Sequence, residues 1–240
     1  MSRVPRVFLT AEWRELALLN YGVSPDLLRG FVPRGTELDD CHGQFFVSLV
    51  DFRFLKTKVM GIPFPFHRNF EEINLRFYVR HREGREWRRG VVFIREIVPR
   101  IAIAAAARFL YNEKYVALPM SHEIQRHDEA LDVQYQWTFK GRSNTLNLTV
   151  TGEASLPREG SEAQFITEHF WGYSAQPGGG CLEYRVDHPS WAVWTAQRAC
   201  FEGDATQLYG KDLAAVLQRE PDSAFLAAGS AVTVYRGRRI

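Results

Sequence analysis

Strict period-two alternation of apolar and polar positions is the strongest pattern in the chain. Across 70–80, Ile73, Leu75, Phe77 and Val79 share one face of an extended segment, and Glu72, Asn74, Arg76 and Tyr78 share the other. Together with 89–98 this segment predicts a long β-hairpin around a charged tip centred on Gly84. A strand over 44–58 is rich in β-branched and aromatic residues and places Val47, Leu49, Asp51 and Arg53 on one face. Further strands are expected over 115–119, 131–139, 145–153, 181–187, 191–199 and 230–236. Helices are expected over 12–21, over 25–31 behind a Ser24 cap with Pro25 in the first turn, over the Ala-rich 100–111, and over 161–171 and 205–219. Many antiparallel strands with interspersed helices give a mainly β (α+β) chain, a closed or nearly closed antiparallel β-barrel with helical caps. The loosest stretch, 175–180, suits a turn rather than a hinge, so residues 1–240 read as one domain.

Charge narrows the partner class. The 240 residues carry 30 Lys plus Arg against 28 Asp plus Glu, a formal charge of +2, which supplies no global field for a polyanion or an anionic membrane. The expected partner is therefore a small molecule, with no nucleic acid and no membrane; a homo-oligomer is compatible with this balance. Charges at Arg3, Arg6, Glu12, Arg14 and Glu15 interrupt any signal-peptide core, and the apolar run 101–107 is far shorter than a bilayer span. With Cys41, Cys181 and Cys200 odd in number and widely spaced, the chain reads as cytoplasmic with reduced thiols.

Several weaker patterns carry no chemistry. His122, Glu123, His127 and Asp128 have a histidine spacing that fits neither a helix face nor a strand face, so no metal is expected. Gly178 to Gly180 lacks the Lys and helix of a phosphate loop, and no cofactor is expected. The Arg-rich tip over 80–89 reads as a solvated turn, and His188 before Pro189 as a structural bend.

The polar face of 70–80 is different. An acid, an amide, a guanidinium and a phenol in line either face water or line a lumen, and inside a lumen each charge needs a partner. Glu72 and Arg76 lie about 13 Å apart along one strand, so their partners come from neighbours. The next strand offers Arg95 and Glu96, but a one-residue slip decides which of them faces inward. Asp51 and Arg53 offer a second acid and base on the preceding strand. Glu72, Asn74, Arg76, Tyr78, Arg95, Glu96 and Arg53 are thus the candidate ligand-binding residues. Arg76 and Arg95 are the anion anchors, and Glu72 or Glu96 the acid–base or orienting group; no catalytic residue is assigned.

Five segments, FLTAEWRELALLNYGVSPDLLRGFVPRGTELD, GQFFVSLVDFRFLKTKVMGIPFPFHRNFEEINLRFYVR, RRGVVFIREIVPR, YNEKYVALPM and VDHPSWAVWTA, resemble the DUF2071 (YqjF-like) family, whose fold is similar to acetoacetate decarboxylase. The resemblance implies a cone-like β-barrel around a central cavity, with the polar face of 70–80 turned inward. That decarboxylase works through a lysine Schiff base, with an Arg-Glu pair shortly followed by Pro-Lys-Lys. Here Arg95-Glu96-Ile97-Val98-Pro99 is followed by Arg100 and Ile101, and a second register from Asn112-Glu113 to Pro119 ends in Met120-Ser121. Neither supplies a lysine, and arginine forms no imine. The resemblance thus implies a polar pocket without the Schiff-base step: a ligand-binding protein, or alternatively a lyase or hydrolase that uses no imine.

Overall fold

The computed structural model describes residues 6–63, 67–105 and 112–240. The elements are β1 (Val7–Val23), α1 (Pro25–Leu28) with a 3-10 turn over Arg29–Phe31, β2 (Glu37–Leu38), β3 (Phe45–Val59), β4 (Ile62–Pro63), β5 (Phe70–Glu83) and β6 (Glu86–Val98). Then come α2, helical over 101–105, β7 (Tyr115–Ala117), β8 (Met120–His127), β9 (Ala130–Phe139), β10 (Arg142–Thr151) and α3 (Glu162–Thr167). The chain continues with β11 (Trp171–Ala175), β12 (Cys181–Asp187), β13 (Val193–Thr195), β14 (Arg198–Glu202), α4 (Thr206–Tyr209), α5 (Lys211–Leu217), β15 (Ser223–Tyr235) and β16 (Arg238–Arg239).

The molecule is mainly β. In the large sheet the order β15-β1-β3-β5-β6-β11-β12 returns on itself, because β12 pairs with β15 through Val186 opposite Val234 and Asp187 opposite Thr233. Every step of this ring is antiparallel except β6 with β11. A second antiparallel sheet, β14-β10-β9-β8, stands apart from the ring.

The ring strands are buried on both faces. Val47, Leu49, Ile73, Leu75, Phe77 and Val79 pack outward against Val133, Trp137, Leu146 and Leu148 of the second sheet and Leu208, Leu213 and Leu217 of α4 and α5. The opposite face gathers Leu18, Val50, Phe52, Phe54, Val91 and Trp191 with Phe165 and Ile166 of α3. Two-sided burial explains the one element of wrong type: 12–21, expected as a helix, is the middle of β1. There Leu16, Ala17, Leu18 and Leu19 are all at most 1% exposed. A strand covered on both sides loses its alternation and reads like a buried helix.

The other expectations hold with changed boundaries. Ser24 caps α1, its Oγ accepting from the Asp26 amide. Helix 205–219 divides at Gly210, whose φ is +83°. The strand over 191–199 is two short ones, β13 on β15 and β14 on β10. The turn at 175–180 joins β11 and β12, with Gly178, Gly179 and Gly180 all at positive φ. The helix expected over 100–111 is present over 101–105, and 106–111 lies outside the described residues. No helix among the described residues is long and apolar enough to cross a membrane.

Leu75, wholly buried in the outer core, should cost about 2–5 kcal/mol when cut to alanine, because the cavity left behind cannot collapse between two sheets. Leu156→Ala, at a site 66% exposed, should change stability by under about 0.5 kcal/mol in the same denaturant titration. Equal effects would contradict the two-layer packing.

Candidate functional site

The inner face of the ring lines a cavity of about 210 Å³. Its wall is mostly apolar, with Trp13, Phe52, Phe54, Phe70, Phe93, Trp171 and Trp191 among the lining residues. Polar side chains converge on one part of it: Glu72, Asn74 and Arg76 from β5, Glu96 from β6, Glu113 and Tyr115 at β7, and Tyr184 from β12.

The β5–β6 register decides which charge enters. From the tip inward the pairs run Glu83 with Glu86 to Arg76 with Phe93; then the register shifts, and Leu75 lies opposite Arg95 and Asn74 opposite Glu96. One extra residue in β6 is therefore accommodated at Ile94–Arg95. Phe93 faces the cavity, and uninterrupted alternation would turn Arg95 inward beside it. The bulge reverses that phase, so Glu96 lines the cavity at 2% exposure while Arg95 is on the outer face near Tyr209. Arg95 as a cavity anion anchor is accordingly corrected.

Two other expected residues also lie elsewhere. Tyr78 has its hydroxyl 2.7 Å from Ser48 Oγ and packs between Phe165 and His169, behind the cavity wall. Arg53 is on the outer face, where Nη2 meets Glu15 Oε2 at 2.7 Å, and Asp51 is buried on that face too. Glu72, Asn74, Arg76 and Glu96 are the expected residues that the fold brings together.

Within the cavity, Glu72 Oε2 accepts from the Tyr115 hydroxyl at 2.9 Å and Oε1 from Asn74 Nδ2 at 3.4 Å. Tyr115 also contacts Glu96, whose amide donates to the Lys114 carbonyl at 3.2 Å. Glu113 Oε1 accepts from the Tyr184 hydroxyl at 3.1 Å. Tyr184 can lie there because Gly172 opposite it has no side chain; a Cβ at 172 would meet its ring at 2.1 Å. Arg76 Nη2 donates to the Ile166 carbonyl at 3.0 Å. Five lining side chains keep a buried polar atom without a hydrogen-bond partner: Trp13 Nε1, Thr57 Oγ1, Asn74 Oδ1, Arg76 Nε and Glu96 Oε2.

Burial controls the protonation of this cluster. It raises Glu72 to about 7, against the lowering by Tyr115, Asn74 and Arg76. It raises Glu113 to about 8, and Glu96 well above the usual carboxylate range, with the charges of Glu113 and Glu72 adding to the latter. Three acids share a low-dielectric space with one guanidinium, so the neutral forms are favoured. Lys114 does not join them: it is exposed, with Nζ over the Phe31 ring at 5.4 Å. None of the five lysines is among the residues lining the cavity.

Sequence patterns missed Glu113, Tyr115, Tyr184, His169 and His188. His188 is the one with a visible signal, the Asp187 to Trp191 bend; its ring stacks on Trp191 at 3.9 Å at the cavity wall. His169 sits between Phe165 O at 2.6 Å and Asp39 Oδ2 at 3.2 Å. His122 lies on β8 with Nδ1 2.6 Å from Glu71, and no group of metal-holding residues occurs among those described.

Residues 10–231 match the model of the DUF2071 family, described as an uncharacterized conserved protein. The uncharacterized protein YqjF of Bacillus subtilis (strain 168) is 27% identical over 122 residues, 50% of this chain and 48% of that one. The match thus spans about half the length of this curated relative. Among solved structures, acetoacetate decarboxylase from Legionella pneumophila is similar with a TM-score of 0.69 at 13% identity, over 100% of this chain and 90% of that chain. The enduracididine biosynthesis enzyme MppR complexed with pyruvate gives 0.66 at 13% identity, over 99% and 91%. At such identities the likeness is one of fold, and it is the acetoacetate decarboxylase-like fold that the sequence resemblance implied.

The raised acids make a signed prediction. Between about pH 4.5 and 8 the folded chain holds protons on Glu113 that the unfolded chain has released, so this residue's contribution to stability falls as pH rises, by up to about 1.4 kcal/mol per pH unit. Glu113→Gln should therefore gain stability relative to the parent chain from pH 5 to pH 8 in denaturant titrations. His169 and His188, whose values burial lowers, act in the opposite sense but cancel in this difference. A difference that is flat or reversed contradicts a neutral, buried Glu113.

Proposed function

The chain belongs to the DUF2071 family, and from that premise and the geometry of the cavity we propose that it binds a small polar, carboxylate-bearing molecule inside a closed, cone-like β-barrel made by the strand ring. Arg76 is the observation that carries this reading. It is the one Lys or Arg side chain among the described lining residues, with one nitrogen tied to the Ile166 carbonyl and Nε buried without a partner. A guanidinium so placed still has donors for a planar anion, and aromatic walls strengthen the pairing by excluding water. Support also comes from MppR, which shares the fold and whose solved complex contains pyruvate, a small carboxylate.

A second reading is an enzyme, a lyase or hydrolase related to acetoacetate decarboxylase that forms no imine. Glu72 favours it: raised to about 7 and hydrogen-bonded to Tyr115, it is poised to give or take a proton near neutral pH, on the same strand face as Arg76. With no lysine lining the cavity, acid–base catalysis by Glu72 is the route available in this reading.

Pyruvate and its uncharged amide separate charge recognition from shape. Pyruvate should bind at least about tenfold more tightly than pyruvamide by calorimetry, and Arg76→Gln should remove that margin. Equal binding of the two on the unaltered chain contradicts the anion-anchor role. Borohydride added with acetoacetate should leave the intact mass unchanged; a stable adduct would show that an imine forms after all.

A further inference from the structure

The charge balance of the cavity asks for more than a carboxylate. Three glutamates, Glu72, Glu96 and Glu113, converge on it against the single guanidinium of Arg76. Glu96 is 2% exposed and its Oε2 has no partner; the neighbouring Asn74 Oδ1, also buried, lacks one too. Asn74 Oδ1 is an acceptor, and so are both oxygens of Glu96 once it ionises; a ligand offering only a carboxylate would bring them more acceptors. An ammonium group brings three donors and a positive charge.

Spacing allows one molecule to meet both needs. Arg76 stands two residues along β5 from Asn74, which lies opposite Glu96. The Cα atoms of Arg76 and Glu96 are therefore about 8–9 Å apart on one face, and both side chains line the cavity. Glu113 adds a second carboxyl near Glu96, and Trp13, Phe52, Phe93 and Trp171 leave an apolar volume for the rest of the molecule.

We infer that the occupant is a zwitterion with an apolar body, an amino-acid-like molecule whose carboxylate meets Arg76 and whose ammonium meets Glu96 and Glu113. This rests on the carboxylate reading above and narrows its substrate class. It also gives the buried acids a partner: when the ammonium arrives, a neutral Glu96 or Glu113 passes its proton to the buffer and forms a charge-assisted hydrogen bond.

Three probes share one aromatic body and differ only in the charged groups: L-phenylalanine, 3-phenylpropionate without the amine, and 2-phenylethylamine without the carboxylate. Titrated into the full chain at pH 7, L-phenylalanine should bind at least about tenfold more tightly than either of the others. In the Glu96→Gln/Glu113→Gln double variant its margin over 3-phenylpropionate should shrink to about twofold or less. Should the double variant fail to fold, the comparison on the unaltered chain decides. If 3-phenylpropionate binds as tightly as L-phenylalanine, the ammonium subsite is overturned and the carboxylate reading stands. If 2-phenylethylamine binds tightest and 3-phenylpropionate not at all, both fall. A preference for L-phenylalanine that survives the double variant, or no binding of any probe, also overturns the zwitterion, the carboxylate reading then resting on pyruvate against pyruvamide.

Discussion

One extra residue in β6 sets the chemistry of the cavity. Side chains on a strand alternate, so a single insertion inverts everything beyond it. The shift between Leu75 and Arg76 comes between Phe93 and Glu96, turning an acid inward where unbroken alternation would have placed an arginine. With Arg95 inside, the cavity would hold two guanidiniums and two acids; with Glu96 inside, it holds three acids and Arg76. The raised carboxyls, the orphaned acceptor and the excess of acid over base all follow from that phase.

Such a cluster is expensive to bury, and the two-layer packing makes it tolerable. The outward faces of β3 and β5 carry Leu49, Ile73, Leu75 and Phe77, with Asp51 buried beside them, and pack on the second sheet and α4–α5. Cohesion is thus supplied on the side away from the cavity. The inner face carries unmatched polar atoms at Trp13, Thr57, Asn74, Arg76 and Glu96. Protonation lowers the remaining cost, since a neutral acid is far cheaper to desolvate than its anion.

The part of this visible in the sequence was the part that depends on a single strand. The alternation over 70–80 identified Glu72, Asn74 and Arg76 as one polar face, and resemblance to a known family indicated that the face turns inward. The segment 12–21 misled because β1 is covered on both sides, which erases the period that distinguishes strand from helix. The choice between Arg95 and Glu96 was invisible because a bulge leaves no composition signal in VVFIREIV. Glu113, Tyr115 and Tyr184 were missed for another reason: they reach the cavity only through the parallel pairings of β7 and β11 on β6, between residues 19 and 81 positions apart. Gly172, which makes room for Tyr184, is the local trace of that assembly.

The central claim is that three buried glutamates share this cavity largely as neutral acids. Side-chain carboxyl carbon NMR, followed through a pH titration and assigned with single Gln variants, observes them directly. Glu72 and Glu113 should titrate near 7 and 8, and Glu96 well above the ordinary carboxylate range. Titration of all three near the ordinary glutamate value of about 4.3 would contradict this, placing these side chains in water rather than in a buried site.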